Sequence, residues 1–398
     1  MAEFYEFFAG GGMARAGLGA DWTCVFANDF DPRKADVYRA NWGEEHLRVA
    51  DVATLTTADL PGHADLAWAS FPCQDLSLAG SGHGLRGSRS GTYWSFHTLI
   101  RGLVEEARAP TLITVENVCG AITSHRGEDL RAILRALIDL GYRVGPLVLD
   151  AAAFVPQSRA RLFILAVRAN VPLPPRLHRP SPDPRVHPPA LVKAMRALPE
   201  EDRPNLVWWD LTPPAPRPRS LADLVEDEPQ GVAWHTPEET HALLGMMTPV
   251  NRARVEAAAH LGIRQVGTIY RRTRQGVQRA EVRFDGIAGC LRTPTGGSSR
   301  QTILLVEGER VRSRLLSPRE AARLMGLPDS YQLPPRYNDA YRLAGDGVAA
   351  PVVTYLRDQL LGPLLAAAHA AQPGDDAPHH APQHDAPDHL AHLALGAD

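Results

Sequence analysis

The stretch Phe4-Tyr5-Glu6-Phe7-Phe8-Ala9-Gly10-Gly11-Gly12 decides the fold. A short, mostly apolar run reads as a buried strand, and three glycines end it in a sharp turn that opens a helix to about Leu18. Residues 22–27 form a second strand-like run ending at Asn28-Asp29. Residues 32–41 read as a helix with Asp31 as cap and Pro32 at its first position. Runs 66–70, 111–115, 142–149 and 162–167 continue as strands, while 92–107 and 127–140 have helical periodicity. The alternation predicts an α/β fold: a mostly parallel sheet with helices on both faces.

Strand ends are where such sheets collect their ligands. Asp29 follows Gly10 by 19 residues, the spacing at which a carboxylate grips a ribose, and Asp51 stands where a third strand would end. No phosphate-gripping lysine follows the glycines. An adenosine cofactor without a pyrophosphate fits best, and S-adenosyl-L-methionine is the candidate. Turn glycines with two cap aspartates are the plainer alternative.

The β-α pattern fades near Asn170, and Pro-rich stretches follow at 171–189 and 213–218. Five units are expected: a first catalytic and cofactor-binding part over 1–185, a smaller irregular domain over 186–314, a hinge over 315–340, a C-terminal helix over 341–370 that completes the first domain, and a disordered tail over 371–398. Ser317, Pro318 and Glu320 form a helix-opening capping box. The net charge of −3 hides a contrast. Residues 251–314 hold thirteen arginines against five acids, a net +8, while the chain from Pro373 onward has five aspartates and no Lys or Arg. A locally basic module suits a phosphate-contacting surface, or simply a solvated charged face. Lys34 and Lys193 are the only lysines among 42 basic residues.

The four cysteines, Cys24, Cys73, Cys119 and Cys290, are too scattered for a disulfide framework or a zinc site, so no metal is expected. A strand-like run from Glu3 leaves no room for a signal peptide, and no run is long enough for a membrane helix, so a cytoplasmic protein is expected. Cys73, in Phe71-Pro72-Cys73-Gln74, follows a strand end and is a candidate nucleophile. Glu116, in Glu116-Asn117-Val118, ends another strand, where a half-buried carboxyl can become a proton donor. Arg159 and Arg161 stand at alternate positions and face one side in extended chain. Singly, each has a bland reading as packing, cap or surface charge.

Taken in order, these motifs resemble the DNA cytosine-5 methyltransferases, together with Gly91-Thr92, Leu315-Leu316-Ser317-Pro318-Arg319-Glu320, Met325-Gly326-Leu327-Pro328 and Gly345-Asp346-Gly347-Val348. The resemblance implies Cys73 as nucleophile toward carbon 6, Glu116 at ring nitrogen 3, Arg161 at the ring oxygen, and Arg159 lowering the thiol pKa and positioning the base. It implies Phe8 and Phe30 against adenine, Asp29 on the ribose, Asp51 on the adenine amino group, Gly10 and Gly12 near the methionine part, and Tyr93, Asp346 and Val348 around the pocket. Gln74, Arg86 and Arg89 would belong to a loop closing over double-stranded DNA. Arg271, Arg272, Arg274, Arg279 and Arg283, in the region corresponding to the target-recognition domain, would touch phosphates or read guanine. A monomer is expected, with a cognate restriction endonuclease as a further partner.

Three positions depart from the family pattern. Asp346 replaces an asparagine, Met13 a glycine and Cys290 the threonine of a Thr-Leu pair. An RNA methyltransferase of the same family, a cytosine amino-nitrogen methyltransferase and a catalytically silent DNA-binding homologue are the rival readings. The long Arg-rich segment, the absence of a Pro-Pro-aromatic motif and the intact catalytic set argue against them in turn.

Overall fold

The structure is a computed structural model, and it describes residues 1–72, 92–274, 276–292 and 300–371. Its main sheet has seven strands in the order β3-β2-β1-β4-β5-β7-β6: β1 Ala2–Phe7, β2 Trp22–Asp29, β3 Leu47–Val49, β4 Leu66–Ala69, β5 Leu112–Val118, β6 Tyr142–Asp150 and β7 Ala160–Arg168. β7 runs antiparallel to both its neighbours. The pairings from β3 through β5 are parallel. This is the mostly parallel, Rossmann-like sheet the alternation predicts.

All four residues of β4 are buried, because a central parallel strand is covered on both faces and must be apolar throughout. One face packs on α3 (Thr92–Glu105) and α4 (Glu128–Asp139). The other packs on α1 (Met13–Leu18) and the C-terminal helices. α2 (Pro32–Trp42) is capped by Asp31, whose carboxylate accepts from the Arg33 amide at 2.9 Å.

The segment from 186 to 211, expected in the smaller domain, lies instead against the sheet edge. β8 (His178–Arg179) pairs with β9 (Trp208–Trp209), and α5 (Pro189–Arg196) lies between them in sequence. Trp209 donates its indole N–H to the Gly145 carbonyl of β6 at 2.8 Å, filling the space where Gly145 has no side chain. The exposed edge of β6 is thereby covered, which blunts a surface open to pairing.

A separate core forms where sequence periodicity is poor. α6 (Pro237–Gly245) and α7 (Pro249–His260) pack on one face of a four-stranded antiparallel sheet. Its strands are β10 Gln265–Arg274, β11 Val277–Arg283, β12 Thr302–Glu307 and β13 Arg310–Leu315, in the order β11-β10-β12-β13. Arg314 and Glu320 form a fully buried, two-pronged ion pair at the exit from this sheet, with both bonds at 2.6–2.7 Å. Glu320 also accepts from the Ser317 amide and so closes the capping box of α8 (Pro318–Leu324).

The C-terminal part is more broken than expected. α9 (Tyr337–Asp346) occupies part of the anticipated hinge, and Gly347 interrupts the chain before α10 (Ala350–Leu356). A π-helical turn, Arg357–Leu361, leads into α11 (Gly362–Ala371). α10 packs on α1, and Thr354 donates to the Gly17 carbonyl at 2.8 Å. Among the described residues, no helix is long and apolar enough to cross a membrane. The expected tail lies outside them, apart from Ala371.

Candidate active site

The glycine-rich turn is built by backbone geometry that only certain residues tolerate. Gly10 and Gly12 have φ of 57° and 77°, and Phe8 takes φ 58° without being glycine. A bulky residue held there is strained, which is common where a loop is shaped for a ligand. A Cβ on Gly12 would lie 2.3 Å from the Trp42 indole nitrogen, so that glycine is needed for packing. The space beside Gly10 is open: a Cβ placed there would meet no atom within 4 Å. The Gly11 carbonyl accepts from Trp42 at 2.9 Å and from the Tyr331 hydroxyl at 2.7 Å.

Asp29 ends β2 beside this turn. Its carboxylate accepts from the amides of Gly10 and Asp31, both at 2.8 Å. Burial raises its pKa, opposed by Lys34 and by those two amides. Phe30, next in sequence, exposes 65% of its surface. Asp51 is solvent-facing and caps a single 3-10 turn through the Ala53 amide at 3.0 Å. An exposed ring, an open glycine surface and two strand-end acids fit an adenosine-bearing cofactor. Val348, two residues after Asp346, is buried. Tyr93 is fully buried: its ring lies 5.4 Å from that of Phe71 and its hydroxyl donates to the Ile133 carbonyl, so it backs the site without opening onto it.

The second cluster forms at the ends of β5 and β7. Glu116 is buried, and its Oε1 lies 3.3 Å from Nε of Arg161. Burial raises the Glu116 pKa, against the pull of Arg161, Arg159 and a hydrogen bond from Ser70. The carboxyl therefore holds a proton more readily than an exposed glutamate. Asn117 donates to the Phe71 carbonyl at 3.2 Å and so ties the end of β5 to the residues leading into Cys73. Cys73, Gln74, Arg86 and Arg89 lie outside the described residues.

Arg159 is buried among backbone acceptors. Its guanidinium donates to the carbonyls of Leu291 at 3.2 Å, Gly345 at 2.8 Å and Gly347 at 2.6 Å, and to the Cys290 sulfur at 3.5 Å. Its own amide donates to Asp150 at 2.7 Å. Gln157 is fully buried. It donates to the Leu324 carbonyl at 2.8 Å and accepts from the Leu291 amide at 3.1 Å, which brings the segment before β12 onto the catalytic edge. Cys290, one of the departures from the family pattern, thus joins this cluster. Burial pushes its thiol pKa up, but Arg159 and Arg161 outweigh that and hold it below the usual value.

The five arginines of the four-stranded sheet expected to touch DNA separate by strand register. Thr268, Tyr270 and Arg272 alternate with Ile269 and Arg271, and the cross-strand partners are Glu281 for Tyr270 and Arg279 for Arg272. Ile269 and its partner Val282 are buried in the α6/α7 core, so Arg271 lies on that packed face. Arg272 and Arg279 are exposed on the other face. There Arg272 lies over the Tyr270 ring, with its guanidinium 5.1 Å from the ring centre. A cavity of about 250 Å³ on this face is lined by Tyr270, Arg272, Glu281, Arg283, Cys290 and Arg292, among others. Arg283 is held by Asp285 in a two-pronged pair. Arg274 ends β10. Among the described residues no group of three potential metal ligands occurs.

A Rossmann-like sheet with a glycine-rich turn and a buried carboxyl–guanidinium cluster fits a nucleoside-cofactor enzyme of the methyltransferase class. Residues 2–362 match the family model of the C-5 cytosine-specific DNA methylases, and the chain belongs to that family. It is 28% identical over 366 residues to the Type II methyltransferase M.HhaI of Haemophilus parahaemolyticus, covering 89% of this chain and 92% of that protein. It is 27% identical over 370 residues to the Type II methyltransferase M.NlaX of Neisseria lactamica, covering 92% and 98%. In fold it is similar to the crystal structure of the S. pombe Dnmt2 methyltransferase, with a TM-score of 0.56, 19% identity and 91% and 99% of the two chains covered. A putative prophage-encoded DNA modification methyltransferase from E. coli aligns with a TM-score of 0.55 and 17% identity over 92% of this chain and 100% of that one.

Proposed function

We propose that the protein methylates carbon 5 of a flipped-out cytosine at a specific sequence in double-stranded DNA, through a covalent adduct on Cys73. The observation that carries this reading is the buried Glu116–Arg161 pair with Arg159 beside it, tied through Asn117 to Phe71, two residues ahead of Cys73. S-adenosyl-L-methionine, when bound, supplies an electrophilic methyl group. Phe8, Gly10, Gly12, Asp29, Phe30 and Asp51 would hold it, with Tyr93, Asp346 and Val348 behind.

Carbon 5 of cytosine is not a nucleophile until carbon 6 carries a substituent. The Cys73 thiolate forms the S–C6 bond and pushes an electron pair into the ring. Glu116, whose burial favours the protonated carboxyl, donates to ring nitrogen 3, and Arg161 donates to the ring oxygen. Carbon 5 then takes the methyl group as that group's bond to the cofactor sulfur breaks. Loss of the carbon 5 proton to solvent restores the C5–C6 double bond and expels the Cys73 thiolate, and return of the nitrogen 3 proton to Glu116 leaves the free enzyme. The base must leave the stack, at a cost of a few kcal/mol. Arg272, Arg279 and Arg283 are the proposed DNA contacts of the four-stranded sheet. Gln74, Arg86 and Arg89 would complete the grip. We place this work in the cytoplasm, by a monomer, with a cognate restriction endonuclease as the partner that the Type II relatives suggest.

A duplex carrying 5-fluorocytosine at the target tests the mechanism, because fluorine in place of the carbon 5 proton blocks elimination. A covalent complex with the wild type and none with Cys73→Ala is expected. Methylation without any adduct would favour the amino nitrogen, and methylation of RNA alone would favour the tRNA-acting branch. Sequencing of methylated bases in a host expressing the gene identifies the target site.

A further inference from the structure

Two oddities of the sequence meet in space. One is Lys34, in a chain that otherwise uses arginine for its basic groups almost without exception. The other is Asp346, in a position where the family pattern has asparagine. Lys34 Nζ lies 3.0 Å from Asp346 Oδ2, with side-chain exposures of 22% and 38%. Lys34 stands in the first turn of α2, just after Asp29 and Asp31. Burial lowers its pKa, but Asp346, Asp29 and Asp31 together outweigh that and keep it charged. A compact ammonium on a flexible stem can reach one carboxylate from this turn without the wide planar fork of an arginine.

The turn that carries Asp346 is gripped from two other directions. Arg159 holds the carbonyls on either side of it, at Gly345 and Gly347. Gly347 also presses on the glycine-rich loop, since a Cβ there would lie 2.1 Å from the Met13 sulfur. The third departure, Met13, thus packs on the same turn. Charges alternate along one path: Asp29, Lys34, Asp346 and Arg159.

We propose that Lys34, through its ion pair with Asp346, is a positioning residue that couples the cofactor pocket to Arg159. The proposal rests on the reading of the glycine-rich turn and Asp29 as that pocket. Without Lys34, Asp346 loses its ion pair, and Asp29 and Asp31 lose the cation they share with it. Repulsion then moves the 345–347 turn, and its two carbonyls, off Arg159. Removing the Asp346 charge as well relieves that repulsion, so the two substitutions are not additive.

The test uses the full chain as wild type, Lys34→Met, Lys34→Arg, Asp346→Asn and the Lys34→Met/Asp346→Asn double variant. Calorimetry measures binding of S-adenosyl-L-methionine and of its demethylated product without DNA, and steady-state kinetics gives KM for cofactor and DNA separately. Lys34→Met should weaken cofactor binding and raise the cofactor KM about tenfold, with the DNA KM unchanged. Lys34→Arg keeps the charge and should recover part of the loss, and the double variant should bind better than Lys34→Met alone. Unchanged binding in Lys34→Met, or losses that simply multiply in the double variant, would overturn the proposal. So would a lowered melting temperature with both KM values rising together. A wild type that melts cooperatively yet binds no cofactor overturns the reading of the pocket, and the proposal with it.

Discussion

Arg159, in the large sheet, is 2% exposed and has four acceptors around its guanidinium. Arg272, in the four-stranded sheet, is half exposed, lies over Tyr270 and has the Glu281 carboxylate only 3.7 Å away. The same side chain is fixed in one place and loosely held in the other. On the proposed function, Arg159 orients a reacting ring, and backbone oxygens that hold its rotamer cost nothing to organise when the substrate arrives. On the same proposal Arg272 meets DNA phosphates, keeps its water and its freedom, and acts by charge.

The comparison can be broken, or sharpened, by substitution. The largest effect is expected from Arg314, an arginine of the four-stranded sheet that is nonetheless fully buried against Glu320. Arg314→Met leaves Glu320 charged and unpaired, and urea unfolding should show a loss of about 3–5 kcal/mol. A loss under about 0.5 kcal/mol, the usual surface value, would mean that burial is not what separates the two kinds of arginine. Next comes Arg159→Met, expected to lower single-turnover methyl transfer by roughly 10²–10³-fold. Activity within threefold of the wild type would deny Arg159 its role. The smallest effect belongs to Arg272→Ala, which should weaken DNA binding and reduce the salt slope by about 1, while Arg271→Ala on the packed face leaves the slope alone. Equal slopes for the two variants would refute the register argument.

Much of the cluster at the ends of β5 and β7 was legible as a cluster because strand ends carry its side chains. Glu116 and Arg161 fall in β5 and β7, and the glycines, Asp29 and Asp51 end successive strands. What holds Arg159 was not legible. Its partners are backbone carbonyls of Leu291, Gly345 and Gly347, and a carbonyl leaves no mark in a sequence. The four-stranded sheet was hidden because only one face of β10 and β11 is buried, while the other spends its alternate positions on Arg272, Arg279 and Arg283, so apolar periodicity is thin. Lys34 did leave a trace, its rarity, but its partner lies at the end of α9, far away in sequence, and nothing local joins the two.

The Gly11 carbonyl accepts from Tyr331, 320 residues later in the chain, and Gly17 and Leu18 accept from Thr354 and Arg357. On a ribosome this loop emerges long before the groups that finish it. A nascent chain stopped short of residue 331 has strands, and even Glu116 and the two arginines, but lacks the hydroxyl that ties its first turn and the two later donors that hold α1. Products cut short ahead of these residues therefore carry an unfinished glycine-rich turn.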